Sequence, residues 1–131
     1  MPVDRRRRAL VLLLLFVVLT GVSIAVSGSR PHLDQGTAPW LLQVVGHLCA
    51  LAGGVLLLAP EEGREDAGVR RLGAVVLAAI VVLGLVDAMT LAADSAGANI
   101  GAGLVRLVGL VAIMVATIRL AHGVAASRRT R

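Results

Sequence analysis

Apolar residues along this chain run in four long blocks. The first covers 9–26 (ALVLLLLFVVLTGVSIAV), the second 40–59, the third 72–93 and the fourth 100–121. Each reaches the length of about 17–25 residues that a helix needs to cross hydrocarbon. A strand would need strict alternation, which none of the blocks has. The connections are short and carry breakers: SGSRPHLDQGTAP, PEEGREDAGVR and DSAGAN. Pro60 and Gly63 close the second block, and Asp94, Gly97 and Asn99 turn the chain between the third and fourth. The pattern predicts an all-α integral membrane protein. It is a bundle of four transmembrane helices in two antiparallel hairpins, with residues 1–131 forming one domain.

Composition agrees with the pattern and changes the meaning of the charge. Hydrophobic residues make up 57% of the chain and charged residues 16%, with a mean hydropathy of +0.88. Soluble domains carry about a quarter charged residues. A net charge of +5 would point to nucleic acid in a soluble protein. Here the basic residues cluster at helix ends, so topology explains them and no nucleic-acid partner is expected. Arg5, Arg6, Arg7, Arg8, Arg64, Arg70, Arg71, Arg128, Arg129 and Arg131 fall on one side of the bundle, against Arg30 alone on the other. Positive charge is retained in the cytoplasm, which predicts a plasma-membrane protein with both termini inside. Trp40 then anchors the outer interface. A competing reading takes Arg5–Arg8, the first apolar run and Ala25-Val26-Ser27 as a cleaved secretory signal. That run exceeds the about 7–15 residues of a signal core, which favours a retained helix.

Ionisable side chains inside the apolar blocks are the candidate chemistry, because each costs a few kcal/mol or more in lipid unless partnered. Asp87 on the third helix and Arg106 on the fourth lie at equal depth, about 7 Å outward of the span midpoints. Adjacent antiparallel helices with charges at one depth predict an intramembrane ion pair, either a structural clamp on the hairpin or a proton, ion or anion site. Gln43 and His47 share a face of the second helix, four residues apart. Asp87, Thr90 and Asp94 share a face of the third, Asn99 and Arg106 one of the fourth, and Thr20 and Ser23 lie at similar depth on the first. Together they predict a polar outer half, a vestibule or a polar seam, with Gln43, His47 and Thr90 beside the charged pair. Haem ligation by His47 is disfavoured, because neither His32 nor His122 matches its depth. A hydrogen-bonded histidine, with Asp87 as its partner, is the simpler expectation. Arg119 and the acidic group Glu61, Glu62, Glu65 and Asp66 are expected at the cytoplasmic surface, the acids paired locally with Arg64, Arg70 and Arg71.

Small residues at four-residue spacing allow close helix approach in lipid. Two such stripes occur: Gly46, Ala50 and Gly54 on the second helix, and Gly84, Ala88 and Ala92 on the third. They serve packing within the chain or assembly with a second copy equally well. The single Cys49 excludes an internal disulfide and a cysteine metal cluster. No nucleophile–base pair, phosphate loop or metal-ligand spacing occurs, so neither metal nor cofactor is expected. The chain also departs from three families of similar size. It lacks the first-helix glutamate of small multidrug transporters, the paired cysteines of quinone-linked disulfide oxidases, and the phenylalanine boxes of small fluoride channels. The sequence therefore favours a non-enzymatic interaction or accessory subunit, partnered by the bilayer and by a second copy or another membrane protein. A small oligomeric ion, proton or solute transporter using Asp87 and Arg106 is the alternative, and a membrane redox protein or other enzyme comes third.

Overall fold

A computed structural model describes residues 2–27, 37–60, 66–92 and 100–130, with side chains for all of these except 2–4, 27, 91, 92, 100 and 102. These residues form four helices: α1 (Pro2–Ser27), α2 (Ala38–Leu58), α3 (Ala67–Ala92) and α4 (Ile100–Arg129). Among the described residues there is no strand. Each helix is long and apolar enough to cross a membrane, and the chain is a four-helix, multi-pass membrane bundle.

The helix ends differ from the apolar blocks for physical reasons. Hydropathy marks where the chain meets lipid, whereas α1 and α4 continue as helix through their arginines, which are good helix formers. So α1 begins before residue 9 and α4 runs on past 121. The second helix stops at Leu58, not 59, because Ala59 precedes Pro60. The ring of a proline excludes the α region for its predecessor, and Ala59 accordingly adopts φ −60° and ψ 136°. The third helix begins at Ala67, five residues before the apolar block.

Consecutive helices pack side by side, and α4 returns to α1 to close the ring. Burial repeats at three and four residues. On α1 it falls on Ala9, Leu13, Phe16, Thr20 and Ser23, and on α4 on Gly109, Ile113, Ala116, Thr117, Leu120 and Val124. Phe16, Leu13, Leu83, Ile113 and Val76 are the largest side chains fully enclosed. Large apolar residues also cover the outside of every helix, for example Val18, Leu48, Leu85 and Leu107. Such a surface suits lipid, where association rests on close packing instead of hydrophobic exclusion.

Glycine sets the closest approaches. A Cβ on Gly73 would lie 2.9 Å from the Leu58 backbone nitrogen and 3.0 Å from the Gly54 carbonyl oxygen. At Gly54 it would meet Leu77 at 2.8 Å, and at Gly109 Leu83 at 3.0 Å. Gly46, Ala50 and Gly54 of the α2 stripe are all buried. The α3 stripe is not enclosed in the same way. Gly84 has nothing within 4 Å of a Cβ position and Ala88 is exposed, because the bundle opens there; the Ala92 side chain lies outside the described residues. The close approach on α3 is made by Gly73, three turns earlier.

The end of the bundle that carries both termini is tied by arginine. Arg5 Nη2 donates to the Ala59 carbonyl at 2.6 Å, satisfying an acceptor left over at the end of α2. Arg6 pairs with Asp66 at 2.7 Å. The partner of Asp66 is thus on α1, not Arg70 or Arg71, because α1 extends about two turns beyond its apolar block and brings Arg6 to the start of α3. Glu61, Glu62, Arg64 and Glu65 lie outside the described residues. Arg119 and His122 are exposed on α4.

Candidate functional site

Away from the termini α3 and α4 draw apart. Among described residues, α3 buries none beyond Leu83 and α4 none before Gly109, while α1 and α2 remain packed through Thr20, Ser23, Pro39 and Gly46. The Ser23 hydroxyl donates to the Pro39 carbonyl at 3.1 Å and fastens that pair. The result is a half-open cavity of about 940 Å³ between α2, α3 and α4, bordered on α1 by Ser23 and Ile24.

Its polar wall is built from three helices around one carboxylate. Gln43 and His47 stand one turn apart on α2, so both face α3. Gln43 Nε2 donates to Asp87 Oδ2. His47 Nδ1 lies 2.7 Å from the Gln43 carbonyl oxygen, and its Nε2 lies 3.3 Å from the same Asp87 oxygen. From α4, Arg106 Nη1 approaches the other carboxylate oxygen, Oδ1, at 3.4 Å. Phe16 holds the far side of the imidazole edge-on, with ring centroids 6.0 Å apart and planes at 82°.

These contacts differ in quality. The Gln43 amide is aligned on the carboxylate. The His47 and Arg106 contacts are close enough to be ion pairs, but neither is aligned as a hydrogen bond, and His47 Nε2 is buried. Both imidazole nitrogens face oxygen atoms. A neutral ring has one N–H and one lone pair, so either neutral tautomer sets a lone pair against an oxygen.

Of the residues the sequence singled out, Asp87, Arg106, Gln43 and His47 come together. Thr90 lines the cavity, but its hydroxyl turns back to the Asp87 carbonyl of its own helix at 2.8 Å. Thr20 is buried beside Gly46, and its hydroxyl has no hydrogen-bond partner among the described residues. Asp94, Asn99 and His32 lie outside the described residues. The sequence did not signal the walls. Trp40, Val44 and Leu48 continue the Gln43–His47 face of α2, and Leu107 and Leu110 flank Arg106 on α4. Trp40 had been assigned only an interfacial anchor, yet its three-residue spacing from Gln43 puts both on one face. No three His, Cys, Asp or Glu side chains among the described residues gather as metal ligands. Comparison with known protein families, curated proteins and solved structures finds no match.

Proposed function

We propose that this chain is a plasma-membrane protein, both termini cytoplasmic, that acts by binding at an outward-facing vestibule, as an accessory or interaction subunit without catalysis of its own. One observation carries this reading. The cavity lies in the half of the bundle away from the termini, and toward the termini Phe16, Leu83 and Ile113 are each at most 1% exposed. Such a chamber holds a ligand or a partner's side chains and offers no path onward through a single copy. The arginine-rich termini and the Arg70-Arg71 pair support the orientation, since they share one side of the bundle.

The test is accessibility. Ala88 is exposed and lines the cavity. With Cys49→Ala as background, Ala88→Cys in intact cells is expected to react with a membrane-impermeant maleimide. Reaction only after permeabilisation would reverse the orientation and remove the vestibule from the outer face. A second reading, a small transporter, is favoured by the grouping of Asp87, His47 and Arg106, which has the components of a proton or ion site. Purified protein in liposomes is expected to pass no ions. A flux abolished by Asp87→Asn would put the transporter first.

A further inference from the structure

Arg106 is the group that the fold leaves least provided for. A guanidinium carries five N–H donors in a planar fork, and the one polar contact of Arg106 among described residues is the unaligned approach of Nη1 to Asp87. It stands six residues inside α4, about 9 Å below the first residue of that helix. Donors left without acceptors at that depth are costly. The charges around Arg106 do not cancel either. Among the described residues Asp87 is the single anion in the cavity wall, and it is approached by Arg106 from α4 and by His47 from α2, while α1 contributes Ser23 and Ile24. The described wall thus sets two basic side chains, His47 and Arg106, against one carboxylate.

Apart from Ser23, Thr37, Gln43 and Thr90, the rest of the cavity lining is apolar. Val44 and Leu48 form one side, and Leu107 and Leu110 the other. At about 940 Å³ it lies at the upper end of the range for sites that enclose a drug-sized molecule, roughly 300–1,000 Å³. A singly charged anionic head joined to a flexible apolar chain matches both features.

Resting on the vestibule reading above, we propose that the cavity binds a long-chain carboxylate, its head on the Arg106 fork and its chain along the apolar walls. The planar fork pairs with a carboxylate through two parallel N–H···O bonds. The alternative acceptor is a phosphate of the surrounding bilayer, reached by snorkelling. A phosphodiester tied to a two-chain lipid sits at headgroup level, whereas a single-chain acid can sink its head to the depth of Arg106.

Trp40 is the only tryptophan and lines the cavity, which makes it a reporter. The full chain in nanodiscs of neutral phosphatidylcholine is titrated with stearate brominated at mid-chain. Trp40 quenching should saturate and be reversed by unlabelled stearate. Arg106→Gln should raise the half-saturating concentration about tenfold or more, and Arg106→Lys should raise it less. Should Arg106→Gln not fold, Gly103→Leu and Gly84→Leu keep the charges and fill the space, because nothing lies within 4 Å of a Cβ at either position; each should abolish the saturable component. Quenching that rises linearly and is unchanged in Arg106→Gln and Gly103→Leu would show partition into bulk lipid and overturn the site. Saturable quenching by brominated phosphatidylglycerol that stearate cannot displace would overturn the carboxylate in favour of a phospholipid head. Maleimide reaction at Ala88→Cys without saturable stearate quenching would reject the ligand class and keep the vestibule. Failure of both would reject both.

Discussion

The same four helices make two unlike halves. Toward the termini, α2 and α3 approach until glycine meets backbone, at Gly54 and Gly73, and leucine and phenylalanine fill what remains. Toward the other end α3 and α4 draw off, and a carboxylate, an amide, an imidazole and a guanidinium occupy the gap. In lipid, apolar contact between helices offers little advantage over apolar contact with acyl chains. Cohesion must then come from fit, as in the first half, or from polar groups that have no better partner, as in the second. The sealed half is therefore the one that determines stability, and the open half has room for function.

The largest expected effect lies in the sealed half. Gly73→Leu should destabilise the bundle by about 3 kcal/mol, the upper end for overpacking, because its nearest neighbours would be the Leu58 nitrogen and the Gly54 oxygen at 2.9 and 3.0 Å, and backbone cannot move aside cheaply. Thermal unfolding in detergent measures it. A melting temperature equal to wild type would mean that α2 and α3 are not held at this distance. Phe16→Ala should come next, at about 2 kcal/mol. That is below the cost of the same truncation in a soluble core, since the vacated space loses packing but the residue has no water to avoid. It should also free the edge of His47 that Phe16 now covers. A loss under about 0.5 kcal/mol would indicate that lipid or a neighbouring side chain refills the space.

How much of this was legible follows from the kind of signal each part leaves. Four spans, their order and their short turns were plain, because lipid imposes length and hydropathy on every spanning helix. The end of α2 was also written in the sequence, in Pro60, although an apolar count overshot it by a residue. The depth match of Asp87 and Arg106 and the shared face of Gln43 and His47 could be read from helical periodicity alone. Which glycines bear the packing could not. Gly54 and Gly84 sit in equivalent-looking stripes, yet one meets Leu77 and the other meets nothing. That difference depends on where α3 and α4 diverge, a property of the helix axes and not of any one helix. The cavity was illegible for the same reason, being a volume left between elements. The tie of Arg6 to Asp66 was missed because it joins segments sixty residues apart.

Within the open half, the unequal contacts at Asp87 predict unequal couplings. Double-mutant cycles on thermal stability separate them. Gln43→Leu with Asp87→Asn should show a coupling of about 1.5 kcal/mol, as expected for an aligned hydrogen bond to a charged group. Arg106→Gln with Asp87→Asn should show about 1 kcal/mol or less, since the pair is unaligned and the arginine side chain is 38% exposed, where screening weakens it. The reverse order would make Arg106–Asp87 the principal bond of the cluster. Its fork would then be engaged by protein and unavailable to a ligand.

The smallest expected effect is also the sharpest on the contrast between the halves. Gly84→Leu places a large side chain on the same helix as Gly73, three turns away, where a Cβ meets nothing within 4 Å. Leucine is the better helix former by several tenths of a kcal/mol, and no neighbour need shift. The melting temperature should stay within about 0.5 kcal/mol of wild type, on either side. Cross-linking in membranes should likewise give the same species for variant and wild type. A large loss would be informative in a different way from the loss at Gly73. Since no described residue lies within 4 Å of a Cβ at this position, such a loss would point to a clash with a second molecule. The stripe of Gly84 and Ala88 would then be a contact between copies, packed as small residues pack in lipid. The opening between α3 and α4 would in that case be closed by the neighbouring protomer.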